Sequence, residues 1–183
     1  KMKIRKATKK DLIEIKKLQE SNLHKNLTPG QKEKEGFVSV ETNLSQLEKI
    51  NKDIGILVVE EDNKIIAYEM PLWLCHAEKI PLLIPFINRI LNLKYQGINL
   101  SKYKIGIEGQ ICISKNYKGK GIAEKLHTEF IKLLKPKYDL ILTEVSSQNP
   151  RSLHVHTKKL GLQILEQYSA EGKEWYVLLQ DIR

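Results

Sequence analysis

The amino-acid sequence predicts a single α/β domain built around a mixed central sheet of six to seven strands flanked by helices. Its 183 residues match the length of one domain, and no repeat or long linker divides them. Hydrophobic residues make up 41% and charged residues 29%, the balance of a globular chain that buries a core. Apolar residues recur at strand or helix spacing in the order β, helices, ββ, helix, β, α, β, α, ββ.

The first part of the chain predicts one strand followed by helices. Residues 2–6 alternate apolar and charged side chains, as a half-buried strand does. Thr8 then stands at the N-cap of a helix. That helix presents three apolar residues at helical spacing: Leu12, Ile15 and Leu18. Residues 22–41 are polar and contain Pro and Gly, which predicts a loop with a short helix, and residues 43–51 predict a second short helix.

The middle of the chain predicts a hairpin and a helix that contains prolines. Two strand-like runs, 54–60 and 64–70, flank a polar turn. Residues 78–93 predict one helix that opens near a proline, because proline is tolerated only in the first turn. Residues 93–104 are expected to form a loop.

The rest of the chain alternates strands and helices before it closes in a hairpin. The predicted elements are a strand over 105–114, a helix over 119–134, a strand over 138–146, a helix over 149–160, and a hairpin of 162–169 with 174–179. A strand–helix–strand unit joins parallel strands, whereas hairpins join antiparallel ones, so the sheet is expected to be mixed.

Composition excludes several classes of protein. Cys75 and Cys112 are too few for a disulfide framework or a four-cysteine zinc site, and no metal site is expected. The most apolar stretch, residues 80–93, is interrupted by prolines and an arginine and is shorter than a membrane span. No apolar signal-peptide core follows the basic N-terminus, so we expect a cytoplasmic protein without a membrane partner.

The formal net charge of +9 favours anionic partners. The lysines are dispersed, and neither a zinc-finger spacing nor an aromatic RNA-binding run occurs, so nucleic acid is not the expected partner. Three interpretations of the charge remain open, which are plain solvation of helix faces, attraction of a phosphate-bearing cofactor and, least expected, nucleic-acid binding.

Residues 109–123 carry the clearest chemical signal. They predict a strand, a short turn rich in Lys and Gly, and the start of a helix. Gly119 and Gly121 lack a Cβ, so the backbone there can approach a ligand closely. Unpaired N–H groups at the helix start, the helix dipole and the charges of Lys118 and Lys120 together predict an anion site suited to a pyrophosphate.

Two familiar phosphate-loop patterns do not fit this segment. The P-loop needs Lys and then Ser or Thr after its second glycine, and the dinucleotide loop needs a third glycine. The run Lys118-Gly119-Lys120-Gly121-Ile122-Ala123 instead resembles the pyrophosphate loop of the GNAT N-acetyltransferase superfamily, whose pattern is Arg or Gln, two residues, Gly, one residue, then Gly or Ala. Lys118 stands where the family has Arg or Gln. Because backbone N–H groups make most of these contacts, the departure should weaken the match without destroying the site.

The resemblance implies acetyl-CoA as the cofactor, with loop 118–123 on its pyrophosphate. It also implies that Ile111, Cys112 and Ile113 face the pantetheine arm, and that the following strand, 139–146, splays away. Such a separation leaves backbone groups free to hydrogen-bond the pantetheine amides. Cys112 itself is interpreted as a small buried hydrophobic residue rather than a nucleophile.

A second stretch resembles another signature of the same family. Asn149, Ser152 and His156 fall at i, i+3, i+7 spacing on one helical face, ahead of a Leu-Gly-Leu sequence. The resemblance assigns Asn149 and Ser152 to cofactor binding. It places His156 where the family often has a Tyr near the acetyl sulfur, although counting back from the Leu-Gly-Leu sequence would place Thr157 there.

The resemblance further implies that an amine attacks the acetyl thioester directly. His156 is interpreted as the donor to the leaving thiolate, with a neutral imidazole giving one N–H. Glu144 and Glu108 are the candidate bases that deprotonate the amine. Each of the three also has a structural interpretation, which is an ion pair with a nearby Lys for Glu144 and a helix-face histidine without a catalytic role for His156. Glu108 lies near the start of its strand and has a structural role in that interpretation.

The acceptor is left open between small-molecule and peptide amines, and a homodimer is also left open. Trp73, Phe86 and Tyr95 either wall the acceptor pocket or pack in the core. The other four histidines are interpreted as incidental: His24, His76, His127 and His154. Two alternative functions remain, a catalytically silent CoA-binding module and a basic nucleic-acid-binding protein.

Overall fold

The computed structural model describes all 183 residues and contains a seven-stranded sheet with a two-stranded sheet beside it. The strands are β1 (Lys3–Lys6), β2 (Leu57–Glu61), β3 (Lys64–Leu72), β4 (Lys94–Tyr95), β5 (Ile98–Asn99), β6 (Ile105–Ile113), β7 (Leu140–Ser146), β8 (Gln163–Ala170) and β9 (Lys173–Asp181). The main sheet has the order β1-β2-β3-β6-β7-β9-β8, and only its β6–β7 pair is parallel.

Helices cover both faces of this sheet. They are α1 (Leu12–Asn22), α2 (Pro29–Glu35), α3 (Leu44–Asp53), α4 (Leu74–Ala77), α5 (Ile84–Ile90), α6 (Ile122–Leu134) and α7 (Pro150–His154). α1, α3 and α5 pack against one face, in a core cluster that includes Tyr68 and Met70. α6 packs against the opposite face, over Val59 and Ala67. None of the helices has both the length and the apolar composition that crossing a bilayer requires.

The parallel strands β6 and β7 separate soon after they begin to pair. Their pairing is confined to 105–107 against 140–142. Beyond it, β6 remains with β3 and β7 remains with β9. At the branch point the Thr143 hydroxyl donates to the Glu108 carbonyl at 2.8 Å, in place of a sheet hydrogen bond. The gap that follows is the splay predicted from the sequence.

The predicted α/β class and the mixed sheet are confirmed, but the segment after β3 differs from its prediction. Instead of one helix over 78–93, the chain forms the short α4, a 3₁₀ turn at Pro81–Leu83 and then α5. Pro85 has no N–H to donate to the residue four positions before it, so a continuous helix is interrupted there. The predicted loop 93–104 contains the β4–β5 hairpin.

Two helix boundaries beside the splayed strands also differ. α6 begins at Ile122 rather than Gly119, because Gly121 is left-handed and ends the turn before it. The predicted helix over 149–160 is α-helical only through α7 and continues as a π-helical turn, Val155–Lys159. A π turn shifts the side chains that follow it around the axis, so residue spacing there does not report a regular helical face.

Candidate functional site

A cleft of about 740 Å³ lies over the open edge of β6 and the N-terminus of α6. Four parts of the chain line it, which are the segment after α2, strand β6, the loop before α6, and α7 with its π turn. Strand β6, the loop before α6 and the segment around α7 contain residues that the sequence predicted to bind the cofactor. The segment after α2 lies in the polar region that the sequence predicted as a loop with a short helix.

The loop before α6 presents a row of unpaired backbone donors to this cleft. Gly119 and Gly121 have φ of +76° and +75°, a left-handed conformation that costs other residues about 1–2 kcal/mol. The first hydrogen bond of α6 runs from the Lys125 N–H to the Gly121 carbonyl at 3.3 Å. The N–H groups of residues 119–124 therefore have no partner within the protein. Combined with the helix dipole, they form an anion site.

Strand β6 offers a second set of backbone groups along the gap. The Ser114 N–H donates to the Ile66 carbonyl at 2.8 Å, and alternate residues of β6 bond β3 in this manner. Ile111 and Ile113 fall between these residues, so their N–H and C=O groups face the gap that β7 has left. Cys112 is buried on the other face, and burial raises the pKa of its thiol to about 12, so the thiol remains protonated.

The two lysines of the predicted anion site, Lys118 and Lys120, have different positions. Lys118 Nζ donates to Asn22 Oδ1 at 3.3 Å and to the Glu35 carbonyl at 3.1 Å, and burial lowers the pKa of Lys118. Lys118 lines the cleft but also fastens the end of α2 to the loop. Lys120 lies over the Tyr117 ring, 5.4 Å from its centroid, and is not among the residues that line the cleft.

A second cavity of about 640 Å³ occupies the gap between the diverging strands and joins the first cleft. Five residues line both spaces: Phe37, Val38, Ile111, Ser152 and His156. Of the three aromatic residues considered for an acceptor pocket, Phe86 lines this cavity, whereas Trp73 and Tyr95 do not.

Glu144 lies on β7 at the wall of the second cavity. The Tyr168 hydroxyl on β8 donates to Glu144 Oε2, and Glu144 Oε1 has no partner in the protein. Burial raises the pKa of Glu144 to about 7, against the opposing effect of the Tyr168 hydrogen bond. A carboxylate with this pKa can accept a proton from an ammonium group near neutral pH.

His156 is buried at the junction of the two spaces, and both of its ring nitrogens are engaged. Nδ1 lies 2.7 Å from the Ser152 carbonyl and Nε2 lies 2.5 Å from Glu108 Oε1. A carbonyl oxygen only accepts, so Nδ1 carries a hydrogen. Burial favours a lower pKa for His156, but the charge and hydrogen bond of Glu108 outweigh it and raise that pKa. The raised pKa favours a protonated ring paired with Glu108, and neither nitrogen has an N–H free to face the cleft.

Glu108 does not fit the role of a base. One of its oxygens is taken by His156, and the side chain is buried. Burial alone would raise the pKa of Glu108, but the His156 charge and hydrogen bond lower it. A carboxylate held ionised by a buried cation is a weak proton acceptor.

Glu108 belongs to a buried chain of side chains: His156, Glu108, Glu69, His127 and Gln180. His127 Nδ1 lies 2.7 Å from Glu69 Oε2, and His127 Nε2 lies 2.7 Å from Gln180 Oε1. Glu69 Oε1 and Glu108 Oε2 are buried without partners. Burial and the adjacent Glu108 charge raise the pKa of Glu69 well above its usual range. A single proton shared between the two carboxyl groups would satisfy both oxygens.

The segment 36–40 forms a wall of both spaces, and the predicted ligand Asn149 holds it in place. The Asn149 side chain donates to the Phe37 carbonyl at 2.8 Å and accepts from the Ser152 N–H at 3.4 Å. Asn149 is thus the predicted helix cap, but both of its polar atoms are used within the protein. Gln110 fixes the other end of the segment by donating to the Val40 carbonyl.

Several site residues were not identified from the sequence. The wall 36–40 was predicted only as part of a polar loop, and no pattern marked the cleft-lining cations Arg151 and Lys159. His127 and His76 were interpreted as incidental, yet both are buried and hydrogen-bonded. A buried histidine has no local sequence signal unless its carboxylate partner is known.

Comparison with known proteins identifies the family. The family model described as the Acetyltransferase (GNAT) family matches residues 22–162. Among solved structures, the N-acetyltransferase of Staphylococcus aureus is 15% identical with a TM-score of 0.66, and the alignment covers 100% of this chain and 99% of that chain. No curated protein matches the sequence significantly.

Two further solved structures share the fold. Salmonella typhimurium yncA, solved with its cofactor acetyl-CoA, is 14% identical with a TM-score of 0.64, covering 100% of this chain and 94% of that one. The ribosomal-protein-S18-alanine N-acetyltransferase of Escherichia coli is 11% identical with a TM-score of 0.63, covering 100% and 94%. Because the family model spans well over half of the sequence, this chain belongs to the GNAT family of acetyltransferases.

Proposed function

We propose that the protein is an N-acetyltransferase that moves an acetyl group from acetyl-CoA to a primary amine by direct attack on the thioester. One observation carries the proposal. An anion site of unpaired N–H groups opens into a cleft that leads, past an unpaired strand edge, to a cavity with an accessible carboxylate.

The residues present suit each part of acetyl-CoA. The N–H groups of residues 119–124 would hold the diphosphate, because six donors at a helix N-terminus favour a doubly charged anion. Arg151 and Lys159 add positive charge to the same cleft. The exposed backbone of Ile111 and Ile113 would pair the pantetheine amides. When bound, acetyl-CoA supplies an acetyl thioester.

Glu144 is the base in this proposal. It lies where the two diverging strands leave room for an acceptor, and its Oε1 is free to accept a hydrogen bond. Ionised Glu144 takes one proton of the ammonium group, after which the amine nitrogen forms its bond to the acetyl carbon and the carbon–sulfur bond breaks. A second proton of the nitrogen then passes to the leaving thiolate, which gives the amide and the free thiol of CoA. Tyr168 orients the carboxylate through its hydroxyl.

Ser152 and His156 serve the leaving sulfur in this proposal. The Ser152 hydroxyl lies 3.2 Å from His156 Nδ1 and belongs to the lining of both spaces. His156 cannot donate to the cleft directly, since its nitrogens face the Ser152 carbonyl and Glu108. The hydroxyl of Ser152 donates instead, and the imidazolium behind it favours the negative charge on sulfur.

Binding and turnover test this proposal separately. Calorimetry with acetyl-CoA is expected to give a dissociation constant in the micromolar range or below, and a rise in Tm should accompany binding. No heat and no Tm shift at millimolar acetyl-CoA would refute the proposal. Release of free thiol over an amine panel, with acetyl-CoA alone as the blank, then tests transfer. Binding without any amine-dependent thiol release would support the catalytically silent CoA-binding module.

A further inference from the structure

The second cavity, which we call the acceptor cavity, has apolar and polar side chains in about equal number, and several of the apolar ones come from two parts of the chain. Leu82 and Leu83 and Phe86 approach it from the segment around α5, and Val145 and Trp175 line it from the sheet. Leu83, Phe86 and Trp175 are buried, so these walls are fixed by core packing. A ligand that enters the cavity must therefore place an apolar surface against them to compensate for the water it displaces.

Most polar side chains in the acceptor cavity are already hydrogen-bonded inside the protein. Gln110 accepts from Gln19 and Tyr68 and donates to Val40, and Thr143 donates to Glu108. Asn149 is used in the same way. These groups shape the cavity, but they have little capacity left for a substrate.

Glu144 Oε1 is the one accessible charged atom in the lining without a protein partner. Glu108, the other carboxylate, is paired with His156 on one oxygen and buried on the other. The uncharged groups that remain are the hydroxyls of Ser39, Ser146 and Ser152 and the indole N–H of Trp175. The cavity therefore offers a site for one positive charge.

Neither Lys nor Arg lines the acceptor cavity. An amino acid would place its carboxylate beside Glu144 and without a free cationic partner, because both nitrogens of His156 are already engaged, which is unfavourable in a partly desolvated space. A diamine or polyamine would bury a second ammonium group with no second free carboxylate. Both classes of acceptor are disfavoured by charge rather than by size.

The apolar wall continues outward from the acceptor cavity. Leu82 and Trp175 also line a third space together with Pro85, Tyr168 and Ala170, and the only charged side chains there, Glu171 and Lys173, are exposed to solvent. An elongated apolar group can extend from Glu144 along this wall, and each buried methylene strengthens binding by about fourfold.

From this lining we propose that the acceptor is a small hydrophobic monoamine, a primary amine with a single positive charge on an uncharged alkyl or arylalkyl body. The proposal rests on the proposed function, because it names the substrate of the same site. It commits to a small molecule, and a peptide N-terminus is one of the outcomes that would overturn it.

A set of amines matched in pairs tests the substrate class. Phenethylamine is compared with phenylalanine, which adds a carboxylate, with 1,4-diaminobutane, which adds an ammonium group, and with ethanolamine, which lacks the apolar body. Thiol release with acetyl-CoA is expected to give phenethylamine a kcat/KM at least tenfold above each of the other three. A higher kcat/KM for any of the three, or for a peptide N-terminus, would overturn the proposal while leaving the acetyltransferase function intact.

A change in the preference between two amines provides a second test, because a misfolded variant would lose activity toward both amines and leave their ratio unchanged. Leu82 is half-buried where the second and third spaces meet. Leu82→Asp supplies the missing second carboxylate, and we expect the ratio of kcat/KM for 1,4-diaminobutane over phenethylamine to rise at least tenfold. Leu82→Asn, of the same size but uncharged, is the matched control and should leave that ratio within about threefold. An unchanged ratio in a folded Leu82→Asp variant would contradict the proposed role of charge.

Binding distinguishes a wrong substrate class from a wrong function. The chain has two tryptophans, so in a Trp73→Phe variant Trp175 is the only source of tryptophan fluorescence. With CoA present, phenethylamine is expected to change this fluorescence at a lower concentration than phenylalanine or 1,4-diaminobutane. If acetyl-CoA binds but phenethylamine changes nothing, the substrate class is wrong. If acetyl-CoA itself does not bind, the proposed function has failed first.

Discussion

The cofactor cleft and the acceptor cavity meet at His156, but the cleft is formed mainly by backbone groups and the cavity by side chains. The cleft uses backbone groups, namely the N–H groups of residues 119–124 and the open edge of β6. The acceptor cavity uses side chains from α5, β7 and β9. A backbone site depends on where the chain turns and tolerates substitution of side chains. A site made of side chains changes its ligand with each substitution.

Charge divides the two spaces in the same way. Lys118, Arg151 and Lys159 line the cleft, whereas the acceptor cavity contains no Lys or Arg and has Glu144 at its wall. The net charge of +9 therefore says little about the acceptor, because the local field around Glu144 favours a cation. Substitutions that separate the two spaces test this division.

Glu144→Gln should have the largest effect, and only on the acceptor side. The amide still accepts from Tyr168 but cannot accept a proton, so kcat should fall by about 10²–10⁴-fold, while the dissociation constant of acetyl-CoA should not change. In the unsubstituted protein, kcat/KM for the amine should rise with pH through about 7, because the base must be ionised. A rise of the same shape in Glu144→Gln would show that another group is the base.

Glu144→Gln should raise the free energy of unfolding although it lowers kcat. Folding raises the pKa of Glu144 from 4.5 to about 7, so its ionisation destabilises the folded state as pH rises through that interval. Glu144→Gln should thus be more stable by up to about 3 kcal/mol at pH 8 and unchanged at pH 4. Chemical denaturation at the two pH values measures this, with Glu129→Gln on the outer surface of α6 as the control.

The buried carboxyl pair behind His156 should respond asymmetrically to loss of charge. Glu69→Gln replaces a protonated carboxyl by a neutral donor, so Tm should stay within about 3 °C. Glu108→Gln removes the counter-charge of His156 and should lower stability by about 3 kcal/mol, or Tm by roughly 10 °C. An equal fall in Tm for Glu69→Gln and Glu108→Gln would contradict a proton shared between the two carboxyl groups. Stoichiometric zinc in the purified protein that disappears in Glu69→Gln would place a cation there instead.

Gly119→Ala should have the smallest of these effects, confined to the cofactor cleft. Gly172, in the β8–β9 turn, has φ of +75° against +76° for Gly119, and a Cβ meets nothing within 4 Å at either position. The two alanine variants should therefore lose similar stability, about 1–2 kcal/mol. Only Gly119→Ala places a methyl group in the cleft, so calorimetry should show acetyl-CoA binding weakened about tenfold in it alone. Equal affinities in the two variants would argue against the loop as the anion site.

The backbone-built half of the site was largely predictable from the sequence. Gly119 and Gly121 ahead of an apolar helical pattern describe a local structure, and local structure follows from neighbouring residues. The order of elements along the chain followed from the sequence periodicity, whereas the splay followed from the family resemblance. The assignment of Lys120 to the cofactor stays a prediction: its side chain lies over Tyr117 and does not line the cleft, and sequence spacing does not fix the direction of a long side chain.

The half built from side chains could not be predicted in the same way. Asn149 bonds Phe37 across 112 positions, and Glu108 bonds His156 across 48. Such contacts depend on the completed fold. His156 was predicted as a direct donor to the leaving thiolate, and that role requires a free N–H, whereas the Ser152 carbonyl and Glu108 engage both of its nitrogens.

The three-residue pairing of β6 with β7 divides the sheet into two leaves joined by a narrow seam. One leaf, β1-β2-β3-β6, bears the strand edge proposed for pantetheine, and the other, β7-β9-β8, bears Glu144, Tyr168 and Trp175. Changes in the second leaf can therefore alter acceptor preference without disturbing the first. A chain arranged in this manner can keep one donor while its descendants diversify the molecules they modify.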